Sequence, residues 1–375
     1  MRKIRMVDLN TQYLNIKNEI DTAIQDVIDS AYFVKSPVIK EFEEELARYL
    51  NASNVIACGN GTDALQISLM ALDLKPGDEV ITPVFTFIST VEVISLLGYK
   101  PVAADVDPDT FNINPDTLES IITDNTKAII PVHLFGQCAD MQKIMDIANK
   151  YNISIIEDAA QAMGSEFYKN NKPLKAGTIG HIGCTSFFPS KNLACFGDGG
   201  AVITGNNELG ERIRTIANHG MKVRYHYDMV GVNSRLDAIQ AAILRVKLKH
   251  LDKYNSARQK AADLYDNAFR NIPGIIIPFR AAYSSHVFHQ YTIRLKNNSR
   301  DALKDYLQSK NIPSMIYYPV PLHLQKAFAF LGYKKGDFPF AEQLSKTVLS
   351  LPMHTEMDEE QIEYIASSVI EFVNK

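Results

Sequence analysis

Short apolar runs alternate with helical patterns through the first half of the chain. The runs are rich in Val and Ile and are bounded by polar or glycine-bearing turns, which is typical of buried strands. Because parallel strands need a long crossover that is usually a helix, this alternation predicts an α/β domain with a mainly parallel, seven-stranded sheet. The predicted strands, between residues 54 and 204, are NVIAC, DEVIT, KPVAAD, KAIIPVHL, SIIED, IGCTSFF and GAVIT.

Several of these strands are followed by loops with polar or glycine-bearing sequences. Ligand sites in parallel sheets collect at the carboxyl ends of the strands. We therefore expect four loops to converge on one site. They are CGNGTDAL after the first strand, PVFTF after the second, EDAAQ after the fifth and FFPSK after the sixth.

Residues 236–270 show one long, charged amphipathic pattern, which predicts a helix that leads into a second region. That region carries its own strands and helices and ends in an amphipathic segment at 358–373. A chain of 375 residues is also too long for one small core. We therefore predict a large domain over 1–250 and a smaller C-terminal α+β domain over 251–375.

The composition is that of an ordinary globular protein, with 46% hydrophobic residues, 22% charged residues and a net charge of −4. The absence of a polybasic stretch argues against nucleic acid or anionic lipid as a partner. The basic N-terminus has no apolar run behind it and no later segment approaches a membrane-spanning length, so we expect a cytoplasmic protein without membrane contact. The four cysteines lack CxxC or metal-ligand spacing, which predicts buried, reduced thiols and no metal site.

One lysine stands in an apolar, glycine-bearing segment, TSFFPSKNLACFGDGG at 185–200. An ordinary lysine in this setting extends its stem and keeps its ammonium in water. In the alternative interpretation Lys191 is desolvated, because burial disfavours the charged form and leaves a free amine that can attack a carbonyl carbon. The neighbouring motifs decide between the two.

Three other loops carry weak signals, each with an ordinary structural alternative. GNGTDAL resembles a phosphate cradle at a helix N-terminus, or only a shaped turn. It also matches a dinucleotide-binding fingerprint, in which an acidic residue ends the next strand. Here Asp78 and Glu79 precede that strand, which weakens the match. Asp158 in EDAAQ can keep a pyridinium nitrogen protonated, or cap the next helix. Phe87 in PVFTF can stack on a planar ring, or lie in the core.

Together, a desolvated lysine, an acid for a ring nitrogen, a stacking aromatic residue and a phosphate cradle are what pyridoxal 5′-phosphate (PLP) requires. Over nearly its whole length the chain resembles the DegT/DnrJ/EryC1/StrS family of sugar aminotransferases. This resemblance implies the PLP-dependent aminotransferase fold type I. The segments that carry it are NGTDAL (60–65), FTF (85–87), EDAAQ (157–161), FFPSKNL (187–193), GDGGA (197–201) and GVNSRLDAIQAAIL (231–244).

The resemblance implies a role for each matching residue. Lys191 would form the Schiff base and move the proton during transamination, and Asp158 would pair with the ring nitrogen. Asn233 would reach the phosphate in the other subunit, so a homodimer with shared active sites is expected. The remaining cofactor-binding residues would be Gln161 near the ring hydroxyl, Phe87 stacked on the ring, and Gly61, Thr62, Asp63 and Ser186 at the phosphate.

Four residues are candidates for substrate binding. Arg235 in NSRLD can pair with a carboxylate or pyrophosphate, although an arginine near a helix start is as often a surface ion-pair partner. The segment at 316–325, IYYPVPLHLQ, resembles a family element that usually reads His-Tyr-Pro and lies near the sugar. Here Tyr317 takes the histidine position, and a tyrosine hydroxyl can still hydrogen-bond a sugar. Tyr318 and His323 complete the set.

The implied reaction transfers an amino group from glutamate to a keto-sugar nucleotide. Lysine at 191 favours transamination, since relatives that dehydrate sugars carry histidine there. The sequence looks closest to the branch that aminates the 3-keto group of UDP-linked N-acetylated hexuronic acids, and Arg235 suits the uronate. A dTDP-linked 3-keto or 4-keto deoxyhexose is the rival substrate, and a non-catalytic regulatory or binding protein is the alternative of another class. Either enzyme would supply a bacterial surface glycan or lipopolysaccharide O-antigen.

Overall fold

A seven-stranded sheet forms the centre of the fold in this computed structural model, which describes residues 2–170, 172–296 and 299–375. Each strand of this sheet falls on one of the apolar runs in the sequence, so the predicted sheet is confirmed. The strands in chain order are β1 (Asn54–Cys58), β2 (Glu79–Pro83), β3 (Lys100–Ala104), β4 (Thr126–Ile129), β5 (Ser154–Asp158), β6 (Glu166–Lys169), β7 (Lys172–Lys175), β8 (Ile182–Ser186), β9 (Gly200–Thr204), β10 (Met221–Val223), β11 (His226–Tyr227), β12 (Ile275–Ile276), β13 (Tyr291–Leu295) and β14 (Val348–Leu351).

Helices connect the strands, and polar side chains cap several of them. Asn60 accepts a hydrogen bond from the N–H of Asp63 at the start of α4, and Asp358 and Gln361 form a capping box at the start of α12. The helices are α1 (Leu9–Asn15), α2 (Lys17–Ser30), α3 (Pro37–Leu50), α4 (Gly61–Ala71), α5 (Ser89–Leu96), α6 (Met141–Tyr151), α7 (Asn207–Ala217), α8 (Ala238–Leu248), α9 (Leu251–Phe269), α10 (Arg300–Ser309), α11 (Pro339–Thr347) and α12 (Glu359–Val373).

The order of strands in the central sheet is β1-β9-β8-β5-β4-β2-β3. β9 is antiparallel to both of its neighbours, β1 and β8, whereas the other neighbouring pairs of this sheet are parallel, and an antiparallel neighbour needs no helical crossover. The lysine-bearing segment therefore joins β8 to β9 as a loop. Gly200, at the start of β9, pairs with Cys58 on one side and with Ser186 on the other. The carboxyl ends of β1, β2, β4, β5 and β8 consequently share one edge of the sheet.

Helices cover both faces of the sheet, because successive side chains of a strand point to opposite faces. Val80 and Ile156 pack in the layer that contains α4, α5 and α7. Their sequence neighbours Ile81 and Ile155 pack in the opposite layer, with side chains from α6. All four are fully buried, and burial of each such side chain contributes about 1.5–3 kcal/mol.

The C-terminal part of the chain builds a second core on a three-stranded antiparallel sheet of order β12-β13-β14. Side chains from α9, α10 and α12 pack on it, among them Tyr265, Leu303 and Ile365. Ile4, from the start of the chain, joins the same cluster. The predicted domain boundary near residue 250 stays a prediction, and the two separate cores are consistent with it.

The amphipathic pattern over 236–270 forms two helices, α8 and α9, where the sequence predicted one. The break is a tight turn in which the N–H of His250 donates to the carbonyl of Lys247, three residues earlier. The two helices pack into different cores: Leu244 of α8 lies with α3, whereas Tyr265 of α9 lies on the C-terminal sheet. One continuous helix cannot turn its apolar stripe toward both.

The four cysteines are buried and free, as expected for reduced thiols. Within the described ranges, every helix is too short or too polar to cross a membrane.

Candidate active site

A cavity of about 790 Å³ opens where the strand-end loops meet. The loops after β1, β2, β5 and β8 all contribute to it, as the sequence predicted, and the C-terminal region closes the other side. The predicted site residues that line it are Gly61, Thr62, Asp63, Phe87, Asp158, Gln161, Ser186, Lys191, Tyr317 and Tyr318. Three predicted site residues lie elsewhere in the chain: Asn233, Arg235 and His323.

Lys191 reaches the cavity from the loop between β8 and β9. Its N–H donates to the carbonyl of Phe188 at 2.8 Å, and the next residues, Asn192 and Leu193, are buried. Burial lowers the pKa of Lys191 to about 8, while the charge of Asp158 acts in the opposite direction. A larger share of free amine at neutral pH follows, which is what a lysine nucleophile requires.

Asp158 is the last residue of β5 and is buried at the floor of the cavity. Its carboxylate accepts the N–H of Ala160 at 3.1 Å. Burial raises the pKa of Asp158, and that N–H together with the charge of Lys191 opposes the rise. The chain continues in turns rather than in a helix, so Asp158 is not a helix cap.

Gln161 is held in one orientation by both ends of its amide. Its Oε1 accepts the N–H of Phe135 at 2.8 Å, and its Nε2 donates to the hydroxyl of Tyr318 at 3.2 Å. The ring of Tyr318 in turn meets Phe85 edge-on, with 5.9 Å between the centroids. These contacts join the β5 loop to the C-terminal region.

The N-terminus of α4 forms another wall of the cavity. Gly61 and Thr62 are its first residues. Backbone N–H groups in the first turn of a helix lack an acceptor within that helix, so they can bind an anion. The hydroxyl oxygen of Thr62 lies 2.7 Å from that of Ser89. A Cβ on residue 61 would lie 2.7 Å from the Cβ of Ser186, so only glycine lets the helix begin this close to that serine. The result is a cradle of N–H and hydroxyl groups.

Asn233 and Arg235 are exposed and flank Ser234, which is buried. The hydroxyl of Ser234 donates to Asp63 Oδ2 at 2.5 Å and accepts the N–H of Gly59 at 2.9 Å. Because adjacent side chains of an extended segment point in opposite directions, both flanking residues point away from this chain's own cradle. Arg235 lines a different cavity, of about 810 Å³, beside α3 and α7.

His323 is buried away from the cavity and lines a separate small pocket together with Val84 and Phe328. Its Nε2 lies 3.2 Å from Glu342 Oε1, and its ring meets Phe338 edge-on. His323 therefore links α11 to the segment that precedes this helix. The structure does not bring His323 to the predicted substrate site.

Sequence analysis missed His289 and Gln290, which line the cavity just before β13. His289 is buried, and its Nδ1 has no hydrogen-bond partner among the residues that the structure describes. Burial and the charges of Lys191 and Arg258 hold the pKa of His289 well below its usual range. No local motif marks these residues, because they reach the site through the packing of the C-terminal core.

A lowered-pKa amine, a buried carboxylate and an anion cradle at the strand ends of this sheet define the class of PLP-dependent aminotransferases with fold type I. The profile of the DegT/DnrJ/EryC1/StrS aminotransferase family matches residues 14–370. The chain belongs to this family, and the resemblance predicted from the sequence is confirmed.

Among the relatives of the chain, three examples match nearly its whole length. The pleiotropic regulatory protein of Geobacillus stearothermophilus is 46% identical over 98% of this chain and 98% of its own. The UDP-2-acetamido-2-deoxy-3-oxo-D-glucuronate aminotransferase of Pseudomonas aeruginosa is 45% identical over 98% and 99%. The UDP-N-acetyl-3-dehydro-α-D-glucosamine 3-aminotransferase of Acidithiobacillus ferrooxidans is 44% identical over 98% and 97%.

Solved structures agree with the fold. A DegT DnrJ EryC1 StrS aminotransferase from Brucella abortus has a TM-score of 0.94 and 40% identity, covering 99% of this chain and 100% of its own. DesV of S. venezuelae, in complex with a ketimine intermediate, has a TM-score of 0.95 and 37% identity over 100% of both chains. The predicted fold class is therefore confirmed.

Proposed function

We propose that this chain is a PLP-dependent aminotransferase that moves an amino group from glutamate to C3 of a UDP-2-acetamido-2-deoxy-3-keto-hexuronate. The observation that carries this proposal is the meeting, in one cavity, of the Lys191 amine, the Asp158 carboxylate and the N-terminus of α4. The 45% identity to the Pseudomonas aeruginosa aminotransferase, over nearly both full chains, supports the substrate class.

The residues of the cavity fit PLP group by group. An amine with a pKa of about 8 suits the aldehyde, and the buried carboxylate of Asp158 suits a ring nitrogen that carries a proton. The close approach of Gly61 to Ser186 leaves a cradle of donors for the phosphate. Phe87, more than half exposed within this chain, offers an aromatic face to the cavity.

When bound, PLP supplies an aldehyde that condenses with amines and a ring that accepts electron density from the substrate carbon. The protein contributes the remaining steps. Lys191, as a free base, would take a proton from the α-carbon of the amino donor and return one to C4′, the aldehyde carbon of PLP. A positively charged ring nitrogen beside Asp158 would favour the charged carboxylate, and the carboxylate would in turn keep that nitrogen protonated. Gln161, whose amide is held in one orientation, would contact the ring hydroxyl.

We further propose that two chains form a homodimer and that Asn233 reaches the phosphate of the partner's site. Its exposure, on the opposite side of the chain from Ser234, supports this assignment. Arg235, exposed in the same way, would meet the uronate carboxylate of the substrate bound by the partner. Tyr317 and Tyr318, which line the cavity, would hydrogen-bond the sugar.

The test is an assay of 2-oxoglutarate formed from glutamate with a panel of keto-sugars. The panel contains the UDP-linked 3-keto uronate, the matching neutral UDP-linked 3-keto glucosamine, and dTDP-linked 3-keto and 4-keto deoxyhexoses. The highest kcat/KM is expected for the uronate. The Arg235→Met variant is expected to lose that preference while it keeps activity on the neutral sugar, because only the uronate presents a carboxylate.

A regulatory or binding role is the second candidate, and the name of the Geobacillus stearothermophilus relative favours it. The Lys191 and Asp158 arrangement opposes it, since binding alone needs no amine of lowered pKa. A chain that binds PLP and yet forms no 2-oxoglutarate with any sugar of the panel would support the regulatory role. Product from even one sugar would reject it.

A further inference from the structure

Directly before Asp158 lies a second carboxylate, Glu157, that is completely buried on the other face of β5. Four donors surround it. It accepts the N–H groups of Gly177, Ile179 and Gly180 at 2.5–2.9 Å, and its Oε2 lies 2.7 Å from His133 Nε2. A buried carboxylate with this many charge-assisted hydrogen bonds is held in one place.

His133 is equally buried, and its other ring nitrogen fixes the position of its hydrogen. Nδ1 accepts the N–H of Ala139 at 3.1 Å, so the ring hydrogen lies on Nε2 and points to Glu157. The backbones of the same region also pair. The N–H of His133 donates to the carbonyl of Asp158 at 3.0 Å, and the N–H of Asp158 donates to the carbonyl of Pro131 at 2.9 Å.

The pair therefore ties together the segments that carry the ring-binding side chains. Glu157 fixes the end of β5, where the next residue is Asp158. His133 fixes the loop after β4, in which Phe135 donates its N–H to Gln161. Loss of the bond between the pair would free both segments at once, although neither partner reaches the cavity.

We propose that His133 and Glu157 form a positioning pair, which aligns Asp158 and Gln161 with the cofactor ring through the backbone of β5 and the loop after β4. The inference rests on the proposed function, because it assumes the proposed roles of Asp158 and Gln161. The pair acts without touching the cofactor. We therefore expect loss of the pair to weaken PLP binding by more than the accompanying loss of folding stability explains.

The chain offers a matched control. His323 and Glu342 form another buried histidine–glutamate pair, with 3.2 Å between Nε2 and Oε1, but they lie away from the cavity. We compare His133→Leu, His133→Asn and His133→Gln with His323→Leu in the full-length protein. PLP is titrated against each cofactor-free variant for its Kd, the absorption spectrum of the loaded protein is recorded, and the midpoint of thermal unfolding is measured.

His133→Leu leaves Glu157 without one donor, and we expect its Kd for PLP to rise by at least about tenfold. His133→Asn is too short to reach Glu157 and should behave in the same way. His133→Gln presents an amide N–H at the right length and should restore most of the affinity and the spectrum. His323→Leu should lower the unfolding midpoint and leave the Kd for PLP unchanged.

An equal loss of PLP affinity in the His133 and His323 variants would overturn the proposal, because it would reflect general destabilisation. A loss in His133→Gln as large as in His133→Asn would overturn it as well. If His133→Leu does not fold, the comparison of the asparagine and glutamine variants still decides. Asp158→Asn tests the proposed function separately from the positioning pair. If this variant leaves the PLP spectrum and affinity unchanged, the proposed role of Asp158 itself has failed.

Discussion

Two lysines of this chain share a lowered pKa, yet their surroundings differ. Burial lowers the pKa of Lys191 and of Lys247 to about 8 in each case. Lys247, on α8, is only 2% exposed and has its Nζ 5.4 Å from the centroid of the Phe196 ring, outside the cavity. Lys191 is less buried by its exposed surface, and it faces a cavity that Asp158 also lines. Desolvation alone therefore does not identify a nucleophilic lysine. Two further features do: a cavity with room for a substrate, and an acid beside the amine.

The largest difference between the two lysines is expected in catalysis. Lys191→Ala removes the proposed nucleophile, and we expect no detectable 2-oxoglutarate from glutamate and no visible absorption from covalently held PLP. Lys247→Met keeps the volume of the side chain and is expected to retain turnover and colour. An equal loss in both variants would mean that the buried charge, rather than the position of Lys191, supports activity.

A second test removes the acid beside Lys191. Asp158→Asn keeps the shape of the side chain and loses its charge, so the proposed partner of the ring nitrogen can no longer keep that nitrogen protonated. We expect kcat to fall by roughly 10²–10⁴-fold, with weaker binding of PLP. Turnover equal to that of the wild type would contradict the role given to Asp158 and would leave Lys191 without its distinguishing neighbour.

The third test asks whether the cavity around Lys191 needs a second chain. Asn233→Ala is expected to weaken PLP binding, and on its own it is expected to lose most activity. Mixed with Lys191→Ala protein, it should regain activity in heterodimers, since one of the two shared sites then holds both intact residues. Purified heterodimers without activity would contradict shared sites, and a monomer in solution would do so directly.

The smallest expected effect concerns stability. A lowered lysine pKa means that the folded chain binds the proton less tightly than the unfolded chain, whose pKa is near 10.5. The resulting destabilisation is fully present below about pH 8 and is relieved as the pH rises from about 8 toward 10.5. We expect Lys247→Met to raise the free energy of unfolding at neutral pH by up to about 3 kcal/mol.

Urea unfolding of Lys247→Met and the wild type, at neutral pH and again near pH 10, measures this effect. The gain should shrink at the higher pH, where the wild-type lysine is neutral in the folded state. The cofactor-free Lys191→Met protein should show a change of the same sign. A gain that is equal at both pH values would show that packing, not the proton, is responsible.

The sequence predicted the parts of the site that depend on local structure. Strand, turn and helix follow one another within a few residues, so Lys191, Asp158 and the start of α4 could be placed at strand ends from the pattern alone. The substrate candidates were harder. His323 has the residue type of a sugar ligand, but its partner, Glu342, lies on a helix that the pattern could not place beside it.

Contacts between distant segments explain most of what was missed. The bond between Gln161 and Tyr318 joins residues 157 positions apart, and His289 reaches the cavity only because the C-terminal core packs there. The turn between α8 and α9 has the same cause, because the two halves of this amphipathic segment pack into different cores. Hydrophobic periodicity describes one element at a time and carries no information on such pairings.

Gly200 sets a limit on how this site can change. Its backbone lies so close to the phosphate-side loop that an added Cβ would be 2.4 Å from the main chain of Asn60. A methyl group there would push β9 away from the loop that follows β1. Because β9 anchors one end of the lysine loop, that loop would be displaced as well. The proposed sugar-binding residues Arg235 and Tyr317 lie outside this crossing, so we expect substitutions there to change sugar preference without disturbing it.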